Sequence, residues 1–437
     1  MNVLIIGSGG REHAIGWKLK QSKRCGKLLF APGNAGTAKL GRNVDLDCDP
    51  VTTKVVDAIH HLCRHEKIDF VVIGPEDPLS QGLADRLLKI GVKVFGPTAD
   101  GAAIEADKAY AKQLMRAAMI PTAEARTFEN PDAALAYVQA HETPLVVKAA
   151  GLARGKGVVV CADPAEAEAA VRRMMLDLEF GEAGQRVVVE ERLGGQEVSI
   201  LALVDGRDIW VLEPSQDHKA VGEGDTGPNT GGMGAYTPTP LVDEPTMAII
   251  HRDVLVPIVD VLRREGVDYR GVLYAGLMLT PGGPRVLEFN CRFGDPECQP
   301  LLARMEGDLL ETMLATADGR LADADIRWSP KVACCVVMCS GGYPGPYEKG
   351  KLITGIEDAE ALDDVHVFHA GAKLDGPPED RRVVTAGGRV LNVVALANDL
   401  ASARDKANAA CDLIHFEGAF FRRDIGNRVL HAAGKPQ

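Results

Sequence analysis

Apolar and polar positions along the first hundred residues follow two alternating periods. Short apolar runs at Val3–Ile6, Lys27–Ala31, Phe70–Ile73 and Val92–Phe95 read as strands. Helical patterns fill the gaps at Glu12–Gln21, Thr53–Glu66 and Leu79–Ile90. Strands alternating with helices predict a parallel sheet covered on both faces, which receives ligands at the carboxyl ends of its strands. Gly74-Pro75 and Gly96-Pro97 mark two such ends. Beyond a helix predicted over Asp107–Ala118, a small α+β unit is expected: strands near Arg126, at Leu145–Lys148, Val158–Cys161 and Arg186–Glu190, with helices near Ala133–His141 and Pro164–Leu176. Strands predicted at Glu197–Val204 and Asp208–Leu212 meet at Asp205-Gly206, a hairpin signal. A helix over Thr246–Glu265 then precedes strands at Val272–Leu279 and Arg285–Asn290, joined by Pro-Gly-Gly-Pro. The chain is again strand-rich from about Trp328, and no internal repeat is visible.

Composition narrows this picture. At about 150 residues per domain, 437 residues predict about three domains. Hydrophobic content of 46% supports a sizeable core, and a net charge of −12 excludes a fold-wide basic footprint for nucleic acid. The longest apolar run, Val332–Cys339, falls far short of the ~20 residues that span a bilayer. Met1–Ile6 is too short for a signal-peptide core. A cytoplasmic protein with no membrane or nucleic-acid partner is expected. Ten cysteines without a Cys-x-x-Cys pair read as reduced thiols, and the histidines form no metal-ligand pattern.

The 47 glycines fall into clusters, each open to two readings. Gly7-Ser8-Gly9-Gly10-Arg11-Glu12 follows a strand and opens a helix, as an anion-binding turn or simply a tight one. Glu12 breaks the dinucleotide fingerprint, and Ala31-Pro32-Gly33 supplies no acid for a ribose, so NAD is disfavoured. Gly151–Gly157 has one residue too few for a Walker loop and leads into a strand. It reads as a cationic flap carrying Arg154 and Lys156, or as an ordinary flexible hairpin. Glu190–Glu197 joins two strands, where free backbone groups could meet an adenine edge. On the strand at Leu287–Arg292, spacing two puts Glu288, Asn290 and Arg292 on one face, with Leu287, Phe289 and Cys291 towards the core. A carboxylate beside an amide oxygen suits Mg²⁺. The competing reading is a polar outer face with Arg292 paired to Glu288. Thr226–Tyr236 reads as close backbone approach to a small substrate, or as a surface loop.

Several strings are highly specific together: Ala31-Pro-Gly-Asn-Ala-Gly36, Gly-Pro-Asn-Thr-Gly-Gly-Met-Gly-Ala-Tyr at 227–236, Glu-Phe-Asn-Cys-Arg-Phe-Gly-Asp-Pro-Glu at 288–297 and Gly341-Gly-Tyr-Pro-Gly345. With Gly74-Pro75-Glu76, Phe95–Thr98, Lys148 and Ser215–Lys219, the chain resembles the glycinamide ribonucleotide synthetase (phosphoribosylamine–glycine ligase) family of the ATP-grasp superfamily, nearly end to end. The resemblance implies an α/β and α+β multidomain chain. Its parts are a parallel N-terminal α/β substrate domain (1–103), an ATP-grasp core (104–328, lid about 122–190) and a strand-rich C-terminal domain (329–437). It implies ATP-dependent ligation of glycine to 5-phosphoribosylamine through a glycyl phosphate, with Mg²⁺ or Mn²⁺, by a monomer. The alternative is another purine-pathway ATP-grasp ligase or carboxylase.

By the same resemblance, Lys108 and Lys148 meet the ATP phosphates, with Lys156 on the flap. Glu190, Glu191 and Leu193 form the adenine hinge, and Glu197 meets the ribose. Glu288 and Asn290 hold the metal, and Arg292 clamps the transferred phosphoryl group. Asp217, Asn229, Thr230, Gly231 and Gly232 lie near glycine and phosphoribosylamine, with Gly9, Gly10, Arg11, Glu12, Asn34 and Glu76 from the first domain. Tyr274–Thr280 holds no acid, so a third metal ligand stays open, and Ala150 and Arg154 depart from the usual flap.

Overall fold

Val3–Gly7 is buried from end to end, the condition for a central strand covered on both faces. It pairs in parallel with Leu28–Pro32 and Phe70–Ile73, and Arg42–Asn43 and Val94–Phe95 complete a five-stranded parallel sheet. The computed structural model describes residues 1–153, 157–377 and 379–433, so Arg154 and Lys156 of the expected flap lie outside the described residues.

A four-stranded antiparallel sheet follows, in the order Ile209–Val211, Gln196–Asp205, Arg270–Thr280, Gly283–Asn290. It shares its core with the first sheet. Leu4 and Ile6 pack in one apolar cluster with Val198 and Leu273, while Val3 and Ile5 pack in the other with Leu201 and Val272. A smaller sheet, ordered Ala125–Phe128, Val187–Glu191, Leu145–Ala149, Val158–Val160, carries helices Pro131–Gln139 and Pro164–Val171 and has an apolar cluster of its own.

The fourth layer was not anticipated in full. Val332–Cys339, Arg389–Ala397 and Val365–His369 form the expected strand-rich end. Their sheet also takes in Gln216–Asp217 and Gly234–Thr237 from mid-chain. The polar, glycine-rich stretch between these two strands is therefore a built feature. Ala220–Gly222 and Thr226–Asn229 pair in it as a hairpin.

Several predicted elements differ in detail. The helix expected over Leu79–Ile90 is two, Glu76–Ser80 and Leu83–Lys89, broken at Gly82, whose φ of +76° suits glycine. The strand expected at Val92–Phe95 is only Val94–Phe95. The helix expected over Thr246–Glu265 runs from Glu244 to Arg264 but contains a π-turn, His251–Leu255, just before Pro257. Proline has no N–H to give to the preceding turn, which explains the widened ladder there. All ten cysteines are unpaired. No helix among the described residues is long and apolar enough to cross a membrane.

Helix Gly10–Leu19 sets the turn that faces the site, and it lies close on the first sheet because residue 16 has no side chain. A Cβ at Gly16 would sit 2.5 Å from Cζ of the fully buried Phe30. Gly16→Ala is expected to cost about 1–3 kcal/mol through overpacking. A urea-unfolding midpoint equal to that of the unaltered chain would contradict this close approach.

Candidate functional site

A cleft of about 750 Å³ opens between the antiparallel sheet, the smaller sheet and the carboxyl ends of the first sheet. Fifteen residues expected at the site line it: Arg11, Glu76, Lys108, Lys148, Glu190, Glu191, Leu193, Glu197, Asp217, Asn229, Thr230, Gly231, Glu288, Asn290 and Arg292.

Three lysines gather on one wall. Lys108 opens helix Lys108–Ala117, whose first N–H groups are capped by the Asp107 carboxylate. Its ammonium donates to the carbonyl of Gly151 at 2.9 Å. Burial, with Lys148 nearby, lowers its pKa below the usual lysine value, while Glu288 opposes the shift. Lys148 sits on Leu145–Ala149 and donates to the Leu287 carbonyl at 3.0 Å. Lys112, one turn after Lys108, was not foreseen. Glu190, only 3% exposed, joins both: one oxygen lies 2.9 Å from Lys148 and the other 3.1 Å from Lys112. Its carboxylate is thus committed to the lysines. The Glu191 carboxylate is committed as well, to Arg285 and to the N–H of Glu124. The Glu190 carboxylate is therefore closed to an adenine, and Arg192–Gly195 turns into the next strand beside it.

At the other end of that strand pair, the alternation expected at Leu287–Arg292 is interrupted. The register between Arg270–Thr280 and Gly283–Asn290 shifts, so Gly276 faces Glu288 while Leu277 faces Val286. Leu287 is left over as a bulge. It therefore lines the cleft instead of pointing to the core as expected, whereas Phe289 and Cys291 are buried in the core as expected, Phe289 also bordering the cleft. Glu288 and Asn290 remain side by side. Burial alone would raise the pKa of Glu288, but Lys219, Lys148, Lys108 and Arg292 outweigh it and hold the carboxylate ionised. An ionised carboxylate and an amide oxygen fit a hard divalent ion that takes its remaining ligands from water and phosphate. Among the described residues, no group of three or more His, Cys, Asp or Glu could hold a metal by itself.

Arg292 does not pair with Glu288. It lies 3.1 Å from Glu76 and 2.7 Å from Glu105, another residue that sequence reasoning missed. Arg11 joins the same group through Glu12 at 2.6 Å and Glu76 at 3.9 Å. Burial works against Glu76 ionising, yet Arg292 and Arg11 hold its pKa at about 2.

The mid-chain hairpin supplies the remaining wall. Lys219 lies 3.1 Å from Glu197 and keeps that carboxylate below its usual range. Thr230 gives both its N–H and its hydroxyl to the Lys219 carbonyl. Asp217 has one buried carboxyl oxygen without a hydrogen-bond partner; burial and the nearby Glu297 push its pKa up. Glu297 accepts from Tyr274 and Ser199. Arg389, from the C-terminal sheet, donates to the carbonyls of Gly231 and Asp295 at 2.7 Å each and lines the cleft.

Five expected residues stand behind the lining. Gly9 donates to Glu12 at 2.6 Å, and Glu12 is buried against Gly7 and Gly74. Gly10 abuts Asn392. Asn34 donates to the carbonyls of Ser8 and His369 and accepts from Gly36 and Thr37. Gly232, at φ +118°, lies against Pro296 with no room for a side chain. Lys156 is outside the described residues. The N–H of Arg11 faces the Asp295 carboxylate at 3.4 Å, so the first-domain turn meets protein anions here. Of the missed residues, Lys112 was signalled by its four-residue spacing from Lys108, and Asp295 and Glu297 by the Gly-Asp-Pro-Glu string. Glu105 and Arg389 carry no local signal that marks them as site residues.

A cleft between two antiparallel sheets, lined by buried lysines on one side and by Glu288 and Asn290 on the other, is the architecture of an ATP-grasp enzyme. Residues 1–105, 106–298 and 333–428 match the N domain, the ATP-grasp (A) domain and the C domain of phosphoribosylglycinamide synthetase. The chain is 49% identical over 99% of its length to the phosphoribosylamine–glycine ligase of Rhodopirellula baltica, covering 99% of that protein. It is also 49% identical, over 98% of its length, to that of a Nostoc species, covering all of it. The crystal structure of phosphoribosylamine–glycine ligase from Thermotoga maritima superposes with a TM-score of 0.83 at 33% identity, covering 98% of this chain and all of that one. The chain belongs to the phosphoribosylglycinamide synthetase family.

Two outcomes follow from the charges. Glu190→Ala leaves Lys112 and Lys148 without their shared counter-charge and is expected to cost about 3–5 kcal/mol of stability and to weaken nucleotide binding. Unchanged thermal unfolding and unchanged ATP affinity would contradict the pairing. The folded pKa of Glu76 is depressed, so its contribution is complete above the unfolded carboxylate range and is lost as pH falls towards about 2. Acid unfolding of Glu76→Gln is expected to be less steep over that window; an identical acid limb would contradict it.

Proposed function

We infer that the chain joins glycine to 5-phosphoribosylamine at the expense of ATP, giving glycinamide ribonucleotide, ADP and phosphate in purine biosynthesis. The observation that carries this most directly is the single cleft in which the lysine wall, the Glu288–Asn290 pair and the Asp217–Gly231 hairpin converge. ATP with a divalent metal is the family's cofactor pair; we propose Mg²⁺, or Mn²⁺ in its place. The division at 1–103, 104–328 and 329–437 is proposed as the working domain organisation, in a cytoplasmic monomer.

In this reading, Lys108 and Lys148 bind the triphosphate. Each is anchored through a carbonyl oxygen, so its charge is held in place before the reaction begins. Glu288 and Asn290 would hold the metal, which supplies Lewis-acid neutralisation of phosphate charge when bound. A carboxylate oxygen of glycine attacks the γ-phosphorus, and the bridging oxygen leaves with ADP. Arg292 faces the transferred group and compensates its charge in the transition state. The amine of phosphoribosylamine then attacks the acyl carbon, the carbon–oxygen bond to phosphate breaks, and the nitrogen loses a proton. Asp217 and the hairpin residues Asn229 to Gly231 orient these two substrates. No protein nucleophile is needed, because the phosphate is the leaving group.

ADP release is expected to require both glycine and phosphoribosylamine; turnover independent of glycine would overturn the assignment. Glu288→Ala is expected to abolish turnover while leaving the fold intact by circular dichroism, and full activity in that variant would refute the metal role.

A further inference from the structure

Arg422 takes no part in the steps above, yet it is the largest fully buried side chain among the described residues, 1% exposed. It does not line the cleft. Its guanidinium donates to both oxygens of Asp424 at 2.8 and 2.9 Å, to Asp225 at 3.0 Å and to the carbonyl of Ala220 at 3.0 Å. The neighbouring C-terminal residues reach the same hairpin. Asp424 accepts from the N–H of Gly224 at 2.8 Å, and Glu223 accepts from the N–H of Arg423 at 3.0 Å. Arg428 donates to Asp225 at 2.7 Å, and the N–H of Gly426 donates to the ring of His218 at 3.1 Å. Residues 422–428 thus grip the first strand of one hairpin at Ala220, its tip at 223–225, and His218 just before it.

That hairpin carries Lys219, Asn229 and Thr230 into the cleft. Ala220, whose carbonyl Arg422 holds, follows Lys219 directly and pairs with Asn229. Thr230 hangs from the Lys219 carbonyl at 2.7 Å through its N–H. Two short strands of this kind have little stability of their own, so their position must be imposed from outside.

We propose that Arg422 is a positioning residue for the ligation: it fixes the substrate hairpin from behind, so that Lys219, Asn229 and Thr230 meet the two non-nucleotide substrates in register. The inference rests on the assignment of that hairpin to glycine and phosphoribosylamine. Glu190 and its lysines hold the triphosphate wall, which the hairpin approaches through the Lys219–Glu197 pair.

The test compares the intact chain with Arg422→Met, Arg422→Lys and Asp225→Asn. KM for each substrate, kcat, thermal unfolding and hydrogen exchange of the amides between 219 and 230 are measured for all four. Loosening of the hairpin is expected to raise KM for glycine or phosphoribosylamine about fivefold or more in Arg422→Met, with a smaller change for ATP. Arg422→Lys is expected to recover part of the loss, and exchange between 219 and 230 to quicken. Asp225→Asn, at the half-exposed tip, is expected to shift the same KM in the same direction and serves alone if Arg422→Met does not fold. A fall in kcat and thermal stability with all KM values unchanged, or an equal rise for ATP, would overturn the proposal. If the unaltered chain shows no glycine-dependent turnover, the functional reading fails; unchanged hydrogen exchange in the variants counts against Arg422 itself.

Discussion

A largely buried guanidinium needs acceptors on every side, and Arg292, which finds them in two carboxylates, is the point on which the site is assembled. Leaving such a charge unpaired costs several kcal/mol. Its partners come from two separate places: Glu76 at the turn after a strand of the first sheet, and Glu105 in helix Ala99–Ala106. Glu76 also meets Arg11, which opens the turn of the first helix. Satisfying one arginine therefore fixes the first sheet against the end of strand Gly283–Asn290, and with it the floor of the cleft.

The same logic orders the rest of the wall. An acidic chain, with a net charge of −12, must concentrate its cations where anions bind. It does so in Lys108, Lys148, Lys219 and Arg292, all of which act on Glu288. These cations are not left mobile. Lys148 is tied to Glu190 and Leu287, Lys108 to Gly151, and Lys219 to Glu197. Charge held in place before substrates arrive needs little reorganisation during phosphoryl transfer. In the proposed reaction, that fixed charge does the work, and no covalent protein intermediate is needed.

Much of this is legible in the linear chain wherever burial repeats at a fixed period. The strands Val3–Gly7 and Phe70–Ile73 and the helix Thr53–Glu66 follow from apolar spacing alone. The glycine clusters and the Glu-Phe-Asn-Cys-Arg string point to the residues that line the cleft. What escapes is decided by distant partners. The bulge at Leu287 depends on the register of the facing strand, so alternation along one strand misassigns it. Arg292 meets Glu76 across 216 residues, and no local pattern distinguishes that pairing from one with Glu288. Glu190 looks like a hinge residue in sequence, but the two lysines that claim its carboxylate lie on other elements. The strands Gln216–Asp217 and Gly234–Thr237 are too short to carry a period: Gly234–Thr237 forms on the edge of Val332–Cys339, and Gln216–Asp217 adds to Gly234–Thr237 in turn.

In the proposed reaction, this cleft activates glycine by moving a phosphoryl group onto its carboxylate. Glycine labelled with ¹⁸O in both carboxylate oxygens tests it directly, by mass analysis of the phosphate released with phosphoribosylamine and ATP. One labelled oxygen in each phosphate is the result expected of a glycyl phosphate. Unlabelled phosphate accompanying labelled product would contradict it.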